Sequence, residues 1–439
     1  MATATARVTE TETAKVSRAT TATDIKIPEG NERLWQHLIG DTEPMPKEAA
    51  LVLYCLRMNG DPGTQYQLER AISAGVSWPR VLEIVRWHGV LPSFRENILR
   101  YCPGKVPGSI RAQLQQEFHR CAAESLGYAR ELSRVFACLQ QHGVPALAFK
   151  GPALAQQLQQ KLSLRQCRDL DIFIGKSQFK EAVAALESAG YRAVWPQGEN
   201  SPGIFQTDKH VLLVAGTGGF KVEIHWSLAL PGSRFPVRFK DLWSRREQVS
   251  VLGRSIPIPT KEDMLLVLCY HAAEHCWGSL KWICDIAEFL RLYPNLNWQQ
   301  VLTRARRWGC CRILLTGAAL ARDAIGVPLP EALEREARVD RTIGRIRRDV
   351  LRRFSAGALP PRCVERSLAH IRSRERLWDR LQLILQFIRL RLKPNARDRE
   401  WFQLPDGFGS LYILVRIVRV ACVRYNVSVI PLLKTLRSS

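Results

Sequence analysis

The apolar positions of this chain change period twice, and the changes divide it. From about residue 46 to 142 they recur at helical spacing. Pro46-Lys47-Glu48-Ala49-Ala50 puts a proline in a first helical turn, ahead of Leu51, Val52, Leu53, Tyr54 and Leu56. A second helix is expected from about Thr64, and Trp78-Pro79 opens a third that carries Val81, Leu82, Ile84 and Val85. The longest is expected over 109–141, where Leu114, Phe118, Ala122, Leu126, Leu132, Val135 and Leu139 hold helical register until Gly143 stops it. Short apolar runs then take over. Strands are expected over 145–149, 169–174, 191–195, 210–215 and 220–226. Helices are expected over 153–162 and 177–189, the second with Ser177 at its start and Gly190 at its end. At Thr260-Lys261-Glu262-Asp263, a threonine followed three residues later by an acid reads as a helix cap. Helices follow over 264–275 and 280–292 and on to about 326.

Residues 331–400 read as helical and arginine-rich. The apolar stretches at 381–392 and 411–423 are punctuated by Arg389, Arg391, Arg416 and Arg419. Residues 1–28 are small, polar and repetitive, and read as a disordered tail. The expected organisation is therefore α+β: the tail, a helical N-terminal region over 29–142, an α/β core over 143–258, a helical region packed on it over 259–330, and a basic helical C-terminal region over 331–439.

Charge sharpens this division. The formal net charge is +23 with a pI near 9.9, which favours polyanions in general. Residues 331–439 hold 24 Lys and Arg against 11 Asp and Glu, more than half of the excess. A solvated or packed helical surface accounts for that, and so does an anionic membrane surface or another polyanion such as RNA. The twelve cysteines include no C-x-x-C pair, against both a zinc ribbon and a disulfide framework. No run approaches the ~18 apolar residues of a spanning helix. No signal peptide is recognisable, so the expected location is cytoplasmic, or peripheral on a membrane.

Asp169 and Asp171 are two apart in an apolar strand and so point to one side. Two carboxylates held this close repel unless a cation lies between them. On a later strand Glu223 shares a side with Lys221 and His225, while Val222 and Ile224 face away. Three convergent acids suit Mg²⁺ or Mn²⁺, and such dications neutralise phosphates and align in-line attack. Lys150-Gly151, at a strand–turn–helix, offers a cation and free N–H groups to a triphosphate; a solvated turn lysine is the plain alternative. Arg165 and Arg168 could neutralise phosphate or pair with the two aspartates, and His225 could orient an acceptor or be a satisfied histidine near the core. Elsewhere, His271-Ala272-Ala273-Glu274-His275 matches the inverted zincin pattern H-x-x-E-H. A packing helix reads the same way. Asp285 and Lys281, four apart, are expected to pair along a helix.

The order Lys150-Gly151, Arg165 through Asp169-Leu170-Asp171-Ile172-Phe173, then Glu223-Ile224-His225-Trp226 resembles the polymerase-β-like nucleotidyltransferase superfamily. Within it, the order resembles the nucleotidyltransferase family of bacterial biosynthetic and cell-surface gene clusters. The resemblance covers about residues 30–320. It implies a small mixed sheet with helices, and metal-dependent transfer of a nucleoside monophosphate from an NTP to a small-molecule, sugar, peptide or protein acceptor, with release of pyrophosphate. By it, Asp169, Asp171 and Glu223 are catalytic and hold the metals, and Glu223 could also take the acceptor's proton; Lys150, Gly151, Arg168 and His225 serve the nucleotide. Two positions depart from the wider superfamily: the third acid is Glu rather than Asp, and the phosphate turn lacks a serine. A catalytically silent binding protein of the same fold is the alternative, and a zinc hydrolase built on His271, Glu274 and His275 the third reading.

Overall fold

The structure is a computed structural model. It describes residues 45–425 apart from 58–61, 159–160, 196–203, 232–234, 356–362, 393–395 and 405–407. The expected tail, and the expected helical region before residue 45, lie outside the described residues.

Five helices come first: α1 (Lys47–Leu56), α2 (Pro62–Ser73), α3 (Trp78–Trp87), α4 (Leu91–Tyr101) and α5 (Gly108–Gln141). The apolar run of α1 is fully inside, with Leu51 and Val52 inaccessible to solvent. Helix α4 was not anticipated from the pattern. It buries Leu91, Pro92, Phe94 and Ile98, a stripe too short to stand out against its polar neighbours, although a proline near its start marks the first turn.

The sheet contains β1 (Ala146–Ala148), β2 (Leu170–Ile174), β3 (Tyr191–Val194), β4 (His210–Ala215) and β5 (Lys221–His225), in the order β1-β2-β5-β4-β3. Strands β2 and β5 run parallel, and the other neighbours are antiparallel. Helices α6 (Gly151–Gln157), α7 (Phe179–Ser188) and α8 (Ile204–Thr207) lie between strands in sequence. The two-residue period gives the sheet unlike faces. Ile172, Ile174, Val211, Leu213, Val222 and Ile224 are all buried on one. Asp171, Phe173, Glu223, His225 and His210 share the other, by register. The long helix α5 is tied to this unit: Tyr191 donates to Glu131, and the Cys138 thiol to the Ala185 carbonyl of α7.

Several boundaries differ from expectation. Strand β2 begins at Leu170, so Asp169 lies just before it. Helix α6 starts at Gly151 and ends at Gln157 instead of spanning 153–162, because Pro152 begins the helix and does not extend the turn. Helix α7 starts at Phe179, after a 3₁₀ turn over Lys176–Gln178. That turn takes up Ser177, which makes no cap bond. A hairpin, β6 (Glu247–Val251) and β7 (Arg254–Ile258), follows α9 (Phe239–Trp243). Its two-residue loop, Leu252-Gly253, has φ of 49° and 82°, the sign pattern of a type I′ turn. Leucine is an unusual first residue there, and that hid the hairpin in the sequence.

Helices resume with α10 (Lys261–Glu274), α11 (Leu280–Leu292), α12 (Trp298–Trp308), α13 (Cys311–Leu320), α14 (Glu331–Val339), α15 (Arg341–Ser355), α16 (Cys363–Ser373), α17 (Leu377–Leu392), α18 (Ala396–Trp401) and α19 (Tyr412–Tyr425). Thr260 caps α10, accepting the Asp263 N–H at 3.4 Å. The Asp263 carboxylate does not complete a capping box. It is fully buried and held by Arg245 at 2.8 Å and Arg304 at 2.9 Å. Near the C-terminus, Arg416 and Arg419 clamp the buried Asp398 at 2.9 and 2.6 Å. Two of the arginines that punctuate the apolar stretch are therefore internal. Among the described residues no helix is long and apolar enough to cross a membrane.

Candidate active site

The site is built where β1 hands the chain to α6. Phe149 N–H reaches the Asp171 carbonyl at 3.4 Å, a last contact of β1 with β2. Gly151 then adopts φ +62°, with an added Cβ placed 3.4 Å from the Cys167 sulfur and 3.5 Å from the Asp169 carbonyl. This is left-handed backbone that side chains disfavour.

The loop before β2 is fixed from behind. Arg165 is buried and grips Asp285 of α11 with two bonds, Nε–Oδ1 at 2.9 Å and Nη2–Oδ2 at 3.0 Å, while Nη1 donates to the Gly151 carbonyl at 3.2 Å. Ser125 and Tyr128 of α5 donate to the Arg165 and Arg168 carbonyls at 3.2 and 2.5 Å. The Lys281 ammonium donates to the Gln166 carbonyl at 3.4 Å. Arg165 thus pairs with neither Asp169 nor Asp171, and Asp285 does not pair with Lys281. Arg168 points its side chain into solvent.

Asp171 and Glu223 stand side by side in the parallel register of β2 and β5. His225 Nε2 lies 3.1 Å from Asp171 Oδ1 and 3.2 Å from Glu223 Oε2, and so spans both carboxylates. Lys150 Nζ sits 2.9 Å from Asp171 Oδ1. His210, across β4, brings Nε2 to 3.7 Å from Glu223 Oε2, and its ring lies 4.8 Å from that of His225. His210, Glu223 and His225 could together offer ligand atoms to a metal ion.

The electrostatics follow from burial and these partners. Burial alone would raise Asp171, but the Lys150 ammonium and the His225 hydrogen bond outweigh it and hold its pKa well below the ordinary value. Burial likewise opposes ionisation of Glu223, and the His225 hydrogen bond is the main influence that brings its pKa below the ordinary value. Asp169 goes the other way. Burial, then the Asp171 carboxylate, push it up, although Lys150 and Lys281 pull against them. Among the described residues no hydrogen bond or ion pair reaches the Asp169 carboxylate. Asp171 and Glu223 oxygens therefore meet at His225, and Asp169, which feels the Asp171 charge, lacks a partner. Carboxylate oxygens suit a hard dication such as Mg²⁺.

Reasoning from sequence missed His210 and the Arg165–Asp285 clamp. A histidine opening a strand that alternates inward and outward, antiparallel to the His-Trp strand, was the available sign of His210. Nothing local marks the clamp, whose partners are 120 residues apart. The second motif is also assembled. His271, Glu274 and His275 bring ligand atoms within 4.8 Å of one another at the end of α10, and Lys209 forms an ion pair with Glu274. A cavity of about 410 Å³ lined by Pro236, Arg238, Asp241, Arg245, Arg304, Arg307 and Trp308 shares no residue with either cluster.

Asp171 and Glu223 lie on a parallel strand pair, with Asp169 just before it, beside the lysine–glycine turn, in the small mixed sheet with helices expected from the sequence. The chain belongs to the uncharacterised nucleotidyltransferase family, whose model matches residues 74–326, a span that contains both clusters. No curated protein matches it. Among solved structures, it is similar to the antibiotic-resistance factor ANT(2″)-Ia in complex with adenylyl-2″-tobramycin. That match has 15% identity and a TM-score of 0.31, and covers 42% of this chain and 97% of the other. The lincosamide antibiotic adenylyltransferase LnuA, lincomycin-bound, shows 18% identity and a TM-score of 0.27 over 36% of this chain and 94% of its own. An antigenic nucleotidyltransferase-like protein from Paracoccidioides brasiliensis shows 14% and 0.28 over 48% and 93%.

Proposed function

We propose that this protein transfers a nucleoside monophosphate from an NTP to a small-molecule, sugar, peptide or protein acceptor at the Asp169–Asp171–Glu223 cluster. The observation that supports this most is the pairing of Asp171 with Glu223 on adjacent parallel strands, with His225 within 3.2 Å of both. Asp169, Asp171 and Glu223 would hold the dication, Mg²⁺ or Mn²⁺, which when bound neutralises phosphate charge and aligns the attack.

The protein's own groups have separate tasks. The acceptor's hydroxyl or amine attacks the α-phosphorus; that bond forms as the bond to the bridging oxygen breaks, and pyrophosphate departs with the electron pair. Glu223, ionised and half-buried, takes the acceptor's proton directly or through water. Lys150 exchanges Asp171 for the β- and γ-phosphates, next to the left-handed Gly151 turn. Arg168, free in solvent just before Asp169, reaches the outer phosphates. His225 holds the two carboxylates in register and is a positioning residue.

Label distinguishes this from phosphoryl transfer. With NTP labelled at the α-phosphate, label should move into acceptor in cell extract, whereas γ-label should appear only in pyrophosphate. Transfer of γ-label to the acceptor would overturn the reading, and so would no turnover with any of the four NTPs, which would favour a silent binding protein.

For the basic C-terminal region we propose an anionic membrane surface as partner. Leu377, Trp378, Leu381, Leu385 and Ile388 on α17, and Ile413, Leu414, Ile417 and Val418 on α19, are all exposed within a segment of net positive charge. Such a combination favours an anionic lipid surface. Sedimentation with phosphatidylserine vesicles should carry the protein down and fail with neutral vesicles; equal recovery with both would refute it.

A further inference from the structure

Helix α10 ends in a second cluster that nucleotidyl transfer does not use. His271, Glu274 and His275 occupy positions i, i+3 and i+4, which share one helical face. Their ligand atoms already lie within 4.8 Å of one another. The two imidazole rings are 4.6 Å apart, and Trp282 of α11 packs against both, at 5.2 and 5.1 Å.

The chain beyond the cluster is tightly held. Cys276 and Trp277 both take left-handed φ, 52° and 56°, a conformation rare for residues other than glycine. Trp277 is buried, and its N–H bonds the Ala272 carbonyl at 2.7 Å. The backbone that carries His275 is therefore fixed before any ligand arrives.

Glu274 supplies the observation that points to a cation. One carboxylate oxygen, Oε2, pairs with Lys209. The other, Oε1, is buried and has no hydrogen-bond partner among the described residues. A buried, unpaired carboxylate oxygen is costly, and beside two imidazoles a metal ion would satisfy it.

We propose that His271, His275 and Glu274 Oε1 form a site for a borderline transition-metal dication, Zn²⁺ foremost, separate from the carboxylate cluster. Two nitrogens and one oxygen make a common zinc set and leave a fourth position open. Asp169, Asp171 and Glu223, all oxygen donors, suit a harder ion. The two sites are neighbours: Lys209, which pairs with Glu274, directly precedes His210, whose Nε2 lies 3.7 Å from Glu223 Oε2. An acceptor bound at the fourth position would therefore lie beside the nucleotide.

The test is metal binding, independent of turnover. The full-length protein, stripped with chelator, is titrated with Zn²⁺ alone and with Co²⁺, whose visible spectrum reports nitrogen and oxygen ligands. One equivalent of Zn²⁺ should bind. Losing an outer partner of a metal ligand costs up to about a hundredfold in affinity; losing a ligand outright, in His275→Ala, should cost at least that and change the Co²⁺ spectrum. His275→Gln, at an exposed position, provides a second variant should the first unfold, and apo melting curves verify both. Asp171→Asn and His210→Ala should keep the zinc. The proposal is overturned if the parent binds no Zn²⁺ at micromolar concentration, or if the His275 variants bind as the parent does. It is equally overturned if zinc is lost only on Asp171→Asn or His210→Ala, which would put the ion at the carboxylates or at His210, Glu223 and His225. Pyrophosphate release in Mg²⁺ is read separately, so failure here is distinguishable from failure of the transfer reaction.

Discussion

Lys150 and His225 supply, beside Asp171, the positive charge and the hydrogen bond that let a buried carboxylate stay ionised. Elsewhere a histidine is used in the opposite way. His88 is buried, its Nδ1 accepts the Leu280 N–H at 3.3 Å, and burial lowers its pKa to about 4. A histidine lowered in the folded state costs stability as pH falls: the unfolded chain begins to take up a proton near pH 6.5, and the folded chain resists until about 4. His88 alone should therefore cost about 2 kcal/mol between pH 7 and pH 5. Urea unfolding at the two pH values measures this. His88→Asn, which keeps an acceptor for Leu280, should remove that share of the difference, while His370, also near 4, retains its own. A second residue-scale expectation concerns Gly151. Left-handed backbone costs an ordinary residue about 1–2 kcal/mol, so Gly151→Ala should lower the unfolding free energy by that amount, seen as a lower urea midpoint with the slope unchanged. An unchanged midpoint would mean that the turn relaxes.

At the scale of elements, the loop before β2 depends on α11. Arg165 and Asp285 are both buried, and neither can lose its partner cheaply. Asp285→Ala strands a guanidinium and should cost about 3–5 kcal/mol, while Arg165→Met with Asp285→Leu should cost much less. Denaturant unfolding of the single and double variants decides it; a double variant as unstable as the single would show that the pair is not the cause. This clamp was invisible in the sequence, because Asp285 is four residues from Lys281 and a local helical pair was the natural expectation. What was legible is what a two-residue period can carry. Asp171, Glu223 and His225 were placed on one face of their strands, and register put them together. The sequence did not reveal that His210 would join them from β4, since a lone histidine has many settings. The β6–β7 hairpin was lost for a related reason: its turn uses Leu252, and the turn chemistry a reader looks for is Asn-Gly or Asp-Gly. Likewise Ser177 had the composition of a cap but lies inside a 3₁₀ turn.

For the whole molecule, family membership rests on residues 74–326, which hold the N-terminal helices from α3, the sheet and the helices behind the site. Residues 331–439, which include the arginine-rich helices from α14 onward, lie outside that match and hold more than half of the net positive charge. The charge is only partly available to a partner, because arginines such as Arg416 and Arg419 neutralise a buried acid of their own. In the matched part, we propose that three carboxylates from a loop and two strands act as one centre. The most direct measurement of this is pyrophosphate release in Mg²⁺ by the parent, Asp171→Asn and Glu223→Gln, each first verified to melt as a folded protein. Each substitution removes charge at the reacting phosphate and should lower kcat by at least about a hundredfold. Release by either folded variant at the parent's rate would contradict the account.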